Sequence, residues 1–368
     1  MTWGTTLSVS AVGCLPPRAA PTLSSSGDVQ CLHAGDASLE VPVAQPASRS
    51  PRLPLNGFAR LAAVTTVLCL ILVALGGAVR AFEAGLACPT WPGCFTAGDF
   101  LPARDFHVWL EHSHRLLAGA VGLLIAAQLG WALLRYRDRP AIVWSAVLAA
   151  VAVIVQAGLG ALVVLHLLRA ELVTAHLGMA MTVVACLLYI TVHATLPPRH
   201  HRAAAPDLRL ARVCLAVAAL TFVQILVGGH VTGVGAGLVF VDRPLLGVTA
   251  LTPMETESQW FNVGHRILAG VLVLAVLWLV REARAAGAAG WLRRLPAIAA
   301  GLVLLQVVIG VVNLATGTAS LVVIAHLTVA SWIWVALALQ TILAYRQAPG
   351  HEMPAASPDA LVMAGSRS

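Results

Sequence analysis

Eight apolar stretches, each about 20 residues long and starting near Phe58, His112, Ile142, Leu172, Leu210, Phe261, Leu295 and Leu321, leave this chain one class of solution. A helix of that length crosses roughly 30 Å of hydrocarbon. Lipid offers no hydrogen bonds, so each backbone N–H and C=O must be satisfied within its own helix. The expected fold is all-α, a polytopic membrane protein with eight transmembrane helices. Composition agrees, because 59% hydrophobic residues against 11% charged and a mean hydropathy of +0.85 exclude a soluble domain.

All 23 basic residues are arginine, and their placement orients the chain. Arg135, Arg137 and Arg139 follow the second span; Arg199, Arg202, Arg209 and Arg212 separate the fourth from the fifth; Arg281, Arg284, Arg293 and Arg294 separate the sixth from the seventh. The alternate loops hold only Arg80, Arg104, Arg169 and Arg243. The arginine-rich loops are expected to face the cytoplasm of a cell-membrane protein, with both termini on the same side. The net charge of +7 is then topological, matched to membrane lipid, and gives no argument for a nucleic-acid partner. Residues 1–56 are rich in Pro, Ser and Ala and lack a long apolar run. They read either as a disordered cytoplasmic tail or as the product of an over-called start codon. Residues 347–368 read likewise as a tail.

An internal repeat organises the rest. Gly76-Gly77-Ala78-Val79 and Ala84-Gly85-Leu86 fall on Gly228-Gly229-His230-Val231 and Ala236-Gly237-Leu238, and Pro92 falls on Pro244. His114-Arg115-Leu116-Leu117-Ala118-Gly119 matches His265-Arg266-Ile267-Leu268-Ala269-Gly270. Gln156 and Gly160 match Gln306 and Gly310, and Ala175-His176-Leu177 matches Ala325-His326-Leu327. His114 to His176 is 62 positions and His265 to His326 is 61. Two duplicated four-helix bundles are expected, residues 57–200 and 201–346. With an even number of spans each, they share one orientation about an axis along the membrane normal. Glycines such as Gly76, Gly77, Gly158, Gly160, Gly228 and Gly229 read first as packing residues that let helices approach closely.

His114, His176, His265 and His326 lie in the first turns of spans that run inward, so two pairs are expected near one depth. An intramembrane histidine alone is commonly a packing residue, but four in a duplicated pattern point to a ligand. Neutral imidazole suits heme iron, and facing helices can present one nitrogen to each side of a porphyrin. Zinc or copper fits less well, since neither pair has another Cys, Asp or His at helical spacing. Arg115 and Arg266 follow the first histidine of each pair, where a guanidinium would pair with a heme propionate or snorkel to headgroups.

Glu111 stands three residues before His114 on the same helix face, whereas the matching residue before His265 is Asn262. It is either a proton acceptor beside a bound porphyrin or an interfacial carboxylate in water. Cys88 and Cys94, in Cys-Pro-Thr-Trp-Pro-Gly-Cys, can close a small disulfide on the oxidising outer side, as a loop staple or a redox couple. Their counterparts are Phe240 and Leu246. Cys69, Cys186 and Cys214 read as small apolar residues within spans.

Taken together, Glu-x-x-His-Arg, Cys-Pro-x-Trp-Pro-x-Cys, four membrane histidines and eight spans in two halves resemble the heme A synthases, over about Arg60 to Arg346. The resemblance implies oxidation of the C8 methyl of heme O to the formyl of heme A for terminal oxidases. It implies that His114 and His176 flank the substrate heme, that Glu111 is the catalytic acid or base, that His265 and His326 ligate a heme B cofactor, and that the outer cysteines are used. Heme O as substrate, the heme O synthase that supplies it and an electron-transfer protein are the implied partners. Some members have a second outer cysteine pair, which this chain lacks. The alternative is a bis-histidine b-type cytochrome that carries electrons without altering heme. A prenyltransferase would need paired Asp-rich motifs, and a dinucleotide enzyme a glycine-rich turn; neither occurs.

Overall fold

The computed structural model describes residues 57–95, 105–196, 208–241 and 254–347. Eight helices follow in order: α1 Gly57–Ala81, α2 Phe106–Arg135, α3 Pro140–Leu165, α4 Ala170–Thr195, α5 Leu208–Gly233, α6 Glu257–Ala285, α7 Trp291–Ala315 and α8 Ser320–Gln347. A 3-10 turn, Ala236–Leu238, follows α5, and no strand occurs among the described residues. All eight helices are long and apolar enough to cross a membrane. Residues 1–56 and 348–368, together with Arg104, Arg199, Arg202, Arg243, Pro244 and Leu246, lie outside the described residues, whereas Gln347, read as the start of the tail, ends α8.

Hydropathy places the second span at His112 and the sixth at Phe261, yet α2 begins at Phe106 and α6 at Glu257. Apolar runs mark the hydrocarbon, whereas helices extend into the interface until their first N–H groups are capped. The Asp105 carboxylate accepts from His107 N at 2.9 Å and Val108 N at 3.1 Å. Thr256 and Gln259 form a reciprocal capping box on α6. The four histidines are consequently deeper than the first turn. His114 and His265 are each ninth in their helices, and His176 and His326 each seventh.

Helices α1 to α4 contact one another in a ring closed by α1 against α4, and α5 to α8 form a second ring closed by α5 against α8. The rings meet through α1, α4, α5 and α8, of which α4 and α5 bury the largest share of their apolar windows. Lipid provides no hydrophobic drive for helices to associate, so close packing must hold this junction. Glycine makes it possible at related places: a Cβ on Gly77 would meet Leu327 at 2.7 Å, and one on Gly229 would meet Leu177 at 2.8 Å. Each leucine is the other's repeat counterpart, so the contact is exchanged about the pseudo-twofold axis. At a neighbouring place Gly178 receives Leu226 at 2.7 Å. The equivalents there are Thr328 and Ala74, a compensated exchange of large for small. Polar contacts cross the same junction, with Trp334 Nε1 donating to Met181 O at 2.9 Å and Arg80 to Thr232 O at 3.2 Å.

Candidate functional site

Each of the four histidines lies over a glycine on the preceding helix. A Cβ built on Gly76 would be 3.1 Å from His114 Nε2, one on Gly160 3.1 Å from His176 Cε1, one on Gly228 2.8 Å from His265 Cε1 and one on Gly310 3.5 Å from His326 Cε1. Any larger side chain at the first three would push the imidazole aside. These glycines, expected to serve helix packing alone, thus make room for rings; Gly77, Gly85, Gly178 and Gly229 receive leucine, and Gly158 meets nothing. Within each ring the bearing helices, α2 with α4 and α6 with α8, are diagonal partners separated by the other two. His114 is near enough to His176 to interact electrostatically, and His265 to His326. The structure therefore brings the sequence pairs together.

Glutamines frame the rings. Gln156 Nε2 lies 3.3 Å from His176 Nε2, and Gln306 Nε2 donates to His326 O at 3.0 Å. Gln224 Nε2 lies 3.1 Å from His265 Nδ1 and donates to His265 O at 3.1 Å. Gln156 and Gln306 belong to the repeat and gave a signal without a role. Gln224 gave none, because Leu72 is its counterpart.

A test of whether these residues suit a heme comes from unpartnered atoms. His176 Nδ1, His326 Nδ1 and the Oε1 atoms of Gln156, Gln224 and Gln306 are buried with no hydrogen-bond partner. A buried polar atom left so is costly. Buried imidazole nitrogens in an apolar bundle fit an axially ligated porphyrin.

Glu111 is 3% exposed, the only buried acid among the described residues, which overturns the water-exposed reading. Its Oε2 accepts from Cys88 N at 2.8 Å, and its Oε1 pairs with the Arg115 guanidinium. Arg115 also donates to Thr90 O, to Gly93 O at 2.6 Å and to Cys88 O at 2.9 Å. It is a clamp on the loop between α1 and α2 rather than a snorkelling cation. Arg266 does the related job, donating to Val239 O at 3.1 Å and Phe240 O at 3.4 Å. Asn262, at the Glu111 position, donates to Ala236 O at 2.7 Å. The same clamp therefore exists twice, with a carboxylate in one copy.

Cys88 and Cys94 form a disulfide and are fully buried. His112, which sequence reasoning passed over, is buried with a ring nitrogen within 4.8 Å of both sulfurs. One residue beyond Glu111, it faces about 100° away on the helix, a hint visible only once the loop is folded over α2. His230, the counterpart of Ala78, was also missed. It is buried between Thr174 at 3.4 Å and Glu257 at 3.0 Å. Cys69, Cys186 and Cys214 are buried free thiols, as expected.

The sequence profile of the cytochrome oxidase assembly proteins matches residues 59–338. A protein of Exiguobacterium sibiricum named heme A synthase is 30% identical over 220 residues, 59% of this chain and 72% of its own length. Heme A synthases of Shewanella oneidensis and Rhizorhabdus wittichii are each 26% identical, over 325 and 347 residues. Those alignments cover 74% and 80% of this chain, and 95% of each relative.

Proposed function

The chain belongs to the cytochrome oxidase assembly protein family, and from that premise we propose that it is a heme A synthase, a multi-pass membrane oxidoreductase acting on heme O. The observation that carries the reading is internal: two histidine pairs set over glycines in repeated bundles, with the one buried acid among the described residues three positions before His114 on the same helix. The relatives that share most of their length with the chain carry the synthase name. An electron carrier finds no support among them and leaves the difference between Glu111 and Asn262 without a purpose.

In this reading residues 57–200 form the substrate bundle and 201–346 the cofactor bundle. His114 and His176 flank heme O, whose C8 methyl is oxidised to the formyl of heme A. His265 and His326 hold heme B, which supplies an iron able to exchange single electrons when bound. Gln224 fixes the orientation of the His265 ring through the amide contacts on both Nδ1 and the backbone. In the first bundle, the Glu111 carboxylate is held in place by the Arg115 guanidinium and by Cys88 N–H. That carboxylate is the proton acceptor as the substrate C–H is oxidised. Asn262 has no such capacity. Arg115 and Arg266 shape the outer loops over the sites, and their guanidinium groups are the propionate contacts. The cell membrane is the setting, with the arginine-rich loops and both termini on the cytoplasmic side, and a heme O synthase and an electron-transfer protein are the partners.

A second role for Glu111 has its own support, since both carboxylate oxygens are engaged in holding the outer loop. Glu111→Gln separates the two, because the amide oxygen can still accept from Cys88 N–H. Membranes from cells making heme O are extracted and the porphyrins separated by mass. With the native chain heme A forms; with Glu111→Gln it falls at least about a hundredfold while heme B stays bound. Unchanged heme A in the variant leaves Glu111 a loop anchor. No heme A with the native chain sinks the synthase reading.

A further inference from the structure

A groove of about 800 Å³ opens between α6 and α7 at the end carrying the arginine-rich loops, far along α6 from His265. Its upper walls are Arg281 and Arg284; its floor includes Ala297 and Gly301; Leu277 and Leu304 line the rest. Both arginines are exposed, and neither pairs with an acid among the described residues. Glu282, the acid between them, turns away to Arg209 at 3.2 Å and to Trp278 Nε1 at 3.0 Å. Arg293 and Arg294 follow close by at the start of α7 and add to the positive potential. Trp278 and Trp291, both exposed, mark this height as the boundary between hydrocarbon and headgroups.

The duplication supplies a comparison within one molecule. At the equivalent places in the first half, Arg281 and Arg284 are replaced by Gly130 and Leu133, and Ala297 and Gly301 by Val147 and Val151. At these four positions the second half alone combines cations on one helix with small residues on the next. Packing demands would not couple them. A groove that is apolar along its length and doubly cationic at its mouth matches a diacyl lipid with an anionic head.

We propose that this groove binds one anionic phospholipid, its phosphate held by Arg281 and Arg284 and its acyl chains lying over Ala297 and Gly301. Arginine suits the phosphate because its planar fork donates two parallel hydrogen bonds. The bare Cα of Gly301 and the single methyl of Ala297 let the acyl chains lie close to the helix backbone. The site is independent of the heme chemistry proposed above.

The test uses the full purified chain in detergent, with dioleoyl phosphatidylglycerol as the probe and native mass spectrometry counting bound lipid. One phosphatidylglycerol is retained at concentrations where dioleoyl phosphatidylcholine is not. Arg281→Ala with Arg284→Ala weakens retention about tenfold or more. Ala297→Val with Gly301→Val does the same while leaving every charge in place, and it installs residues already tolerated in the first half. Arg135→Ala with Arg137→Ala changes nothing. Equal binding of the two lipids, or full retention by either groove variant, overturns the proposal. Displacement of the lipid by inorganic phosphate shows a small-anion site and overturns it equally.

Discussion

Gly228→Ala tests whether the glycines opposite the histidines serve the site or merely the packing. A Cβ there would lie 2.8 Å from His265 Cε1 and 3.3 Å from Nδ1, whereas ordinary contact begins at 3.4 Å. The ring must therefore retreat by about 0.6 Å, more than the roughly 0.5 Å that a bound constellation tolerates. Retreat also stretches the 3.1 Å contact between Gln224 and His265 Nδ1 past hydrogen-bond length. Losing one such bond costs about 1 kcal/mol, roughly a fivefold drop in heme retention, before any strain at the iron is counted. Gly310→Ala is the matched control in the same bundle, since its Cβ would sit 3.5 Å from His326, in ordinary contact. Heme per purified chain, read as the pyridine hemochrome, and a heme titration of the stripped protein give the two affinities. Gly228→Ala should bind at least about fivefold more weakly, with Gly310→Ala close to native. Equal losses in the two variants, or none in the first, refute the idea that ring clearance governs the site.

Other consequences are separately measurable. Arg115→Ala strands the buried Glu111 carboxylate without its cation. It should lower unfolding stability by about 3 kcal/mol, more than Arg266→Ala, whose clamp involves no acid; similar melting in detergent for both would count against this. Removing the Cys88–Cys94 bond by a double serine substitution frees a short loop and should cost about 2 kcal/mol. It should also expose Glu111, whose Oε2 partner is Cys88 N–H, and an unchanged melting temperature and heme A yield would make the bond dispensable. Leu177→Ala and Leu327→Ala open equivalent gaps over Gly229 and Gly77. Each should cost about 2 kcal/mol, and a large inequality between them would break the pseudo-twofold account of the junction.

Much was legible before any fold was known. Twenty-residue apolar runs leave a lipid-embedded chain no alternative to helices, so number and class followed from hydropathy alone. Duplication was legible because Gly-Gly, His-Arg and Ala-His pairs recur at fixed spacing, and the histidine pairs came with it. The proximity of Cys88 and Cys94 followed from five intervening residues. Helix starts were placed late because caps such as Asp105 and Thr256 lie outside the apolar run.

What the sequence could not decide was direction around each helix. A span that is apolar on every side has no polar face to mark its outward surface, so helical period gives lines of residues without saying which neighbour each line meets. Tertiary packing made Gly76 and Gly160 clearances for imidazoles while Gly77 and Gly229 became seats for leucine. It brought Gln224 to His265 from a helix where the repeat has only leucine, and folded the disulfide loop onto α2 so that Glu111 was buried instead of wetted. It also left Arg281 and Arg284 above an open groove where Gly130 and Leu133 stand in the other half. Local chemistry sets how each segment meets lipid; only the assembled helices decide which side chains share the space between them.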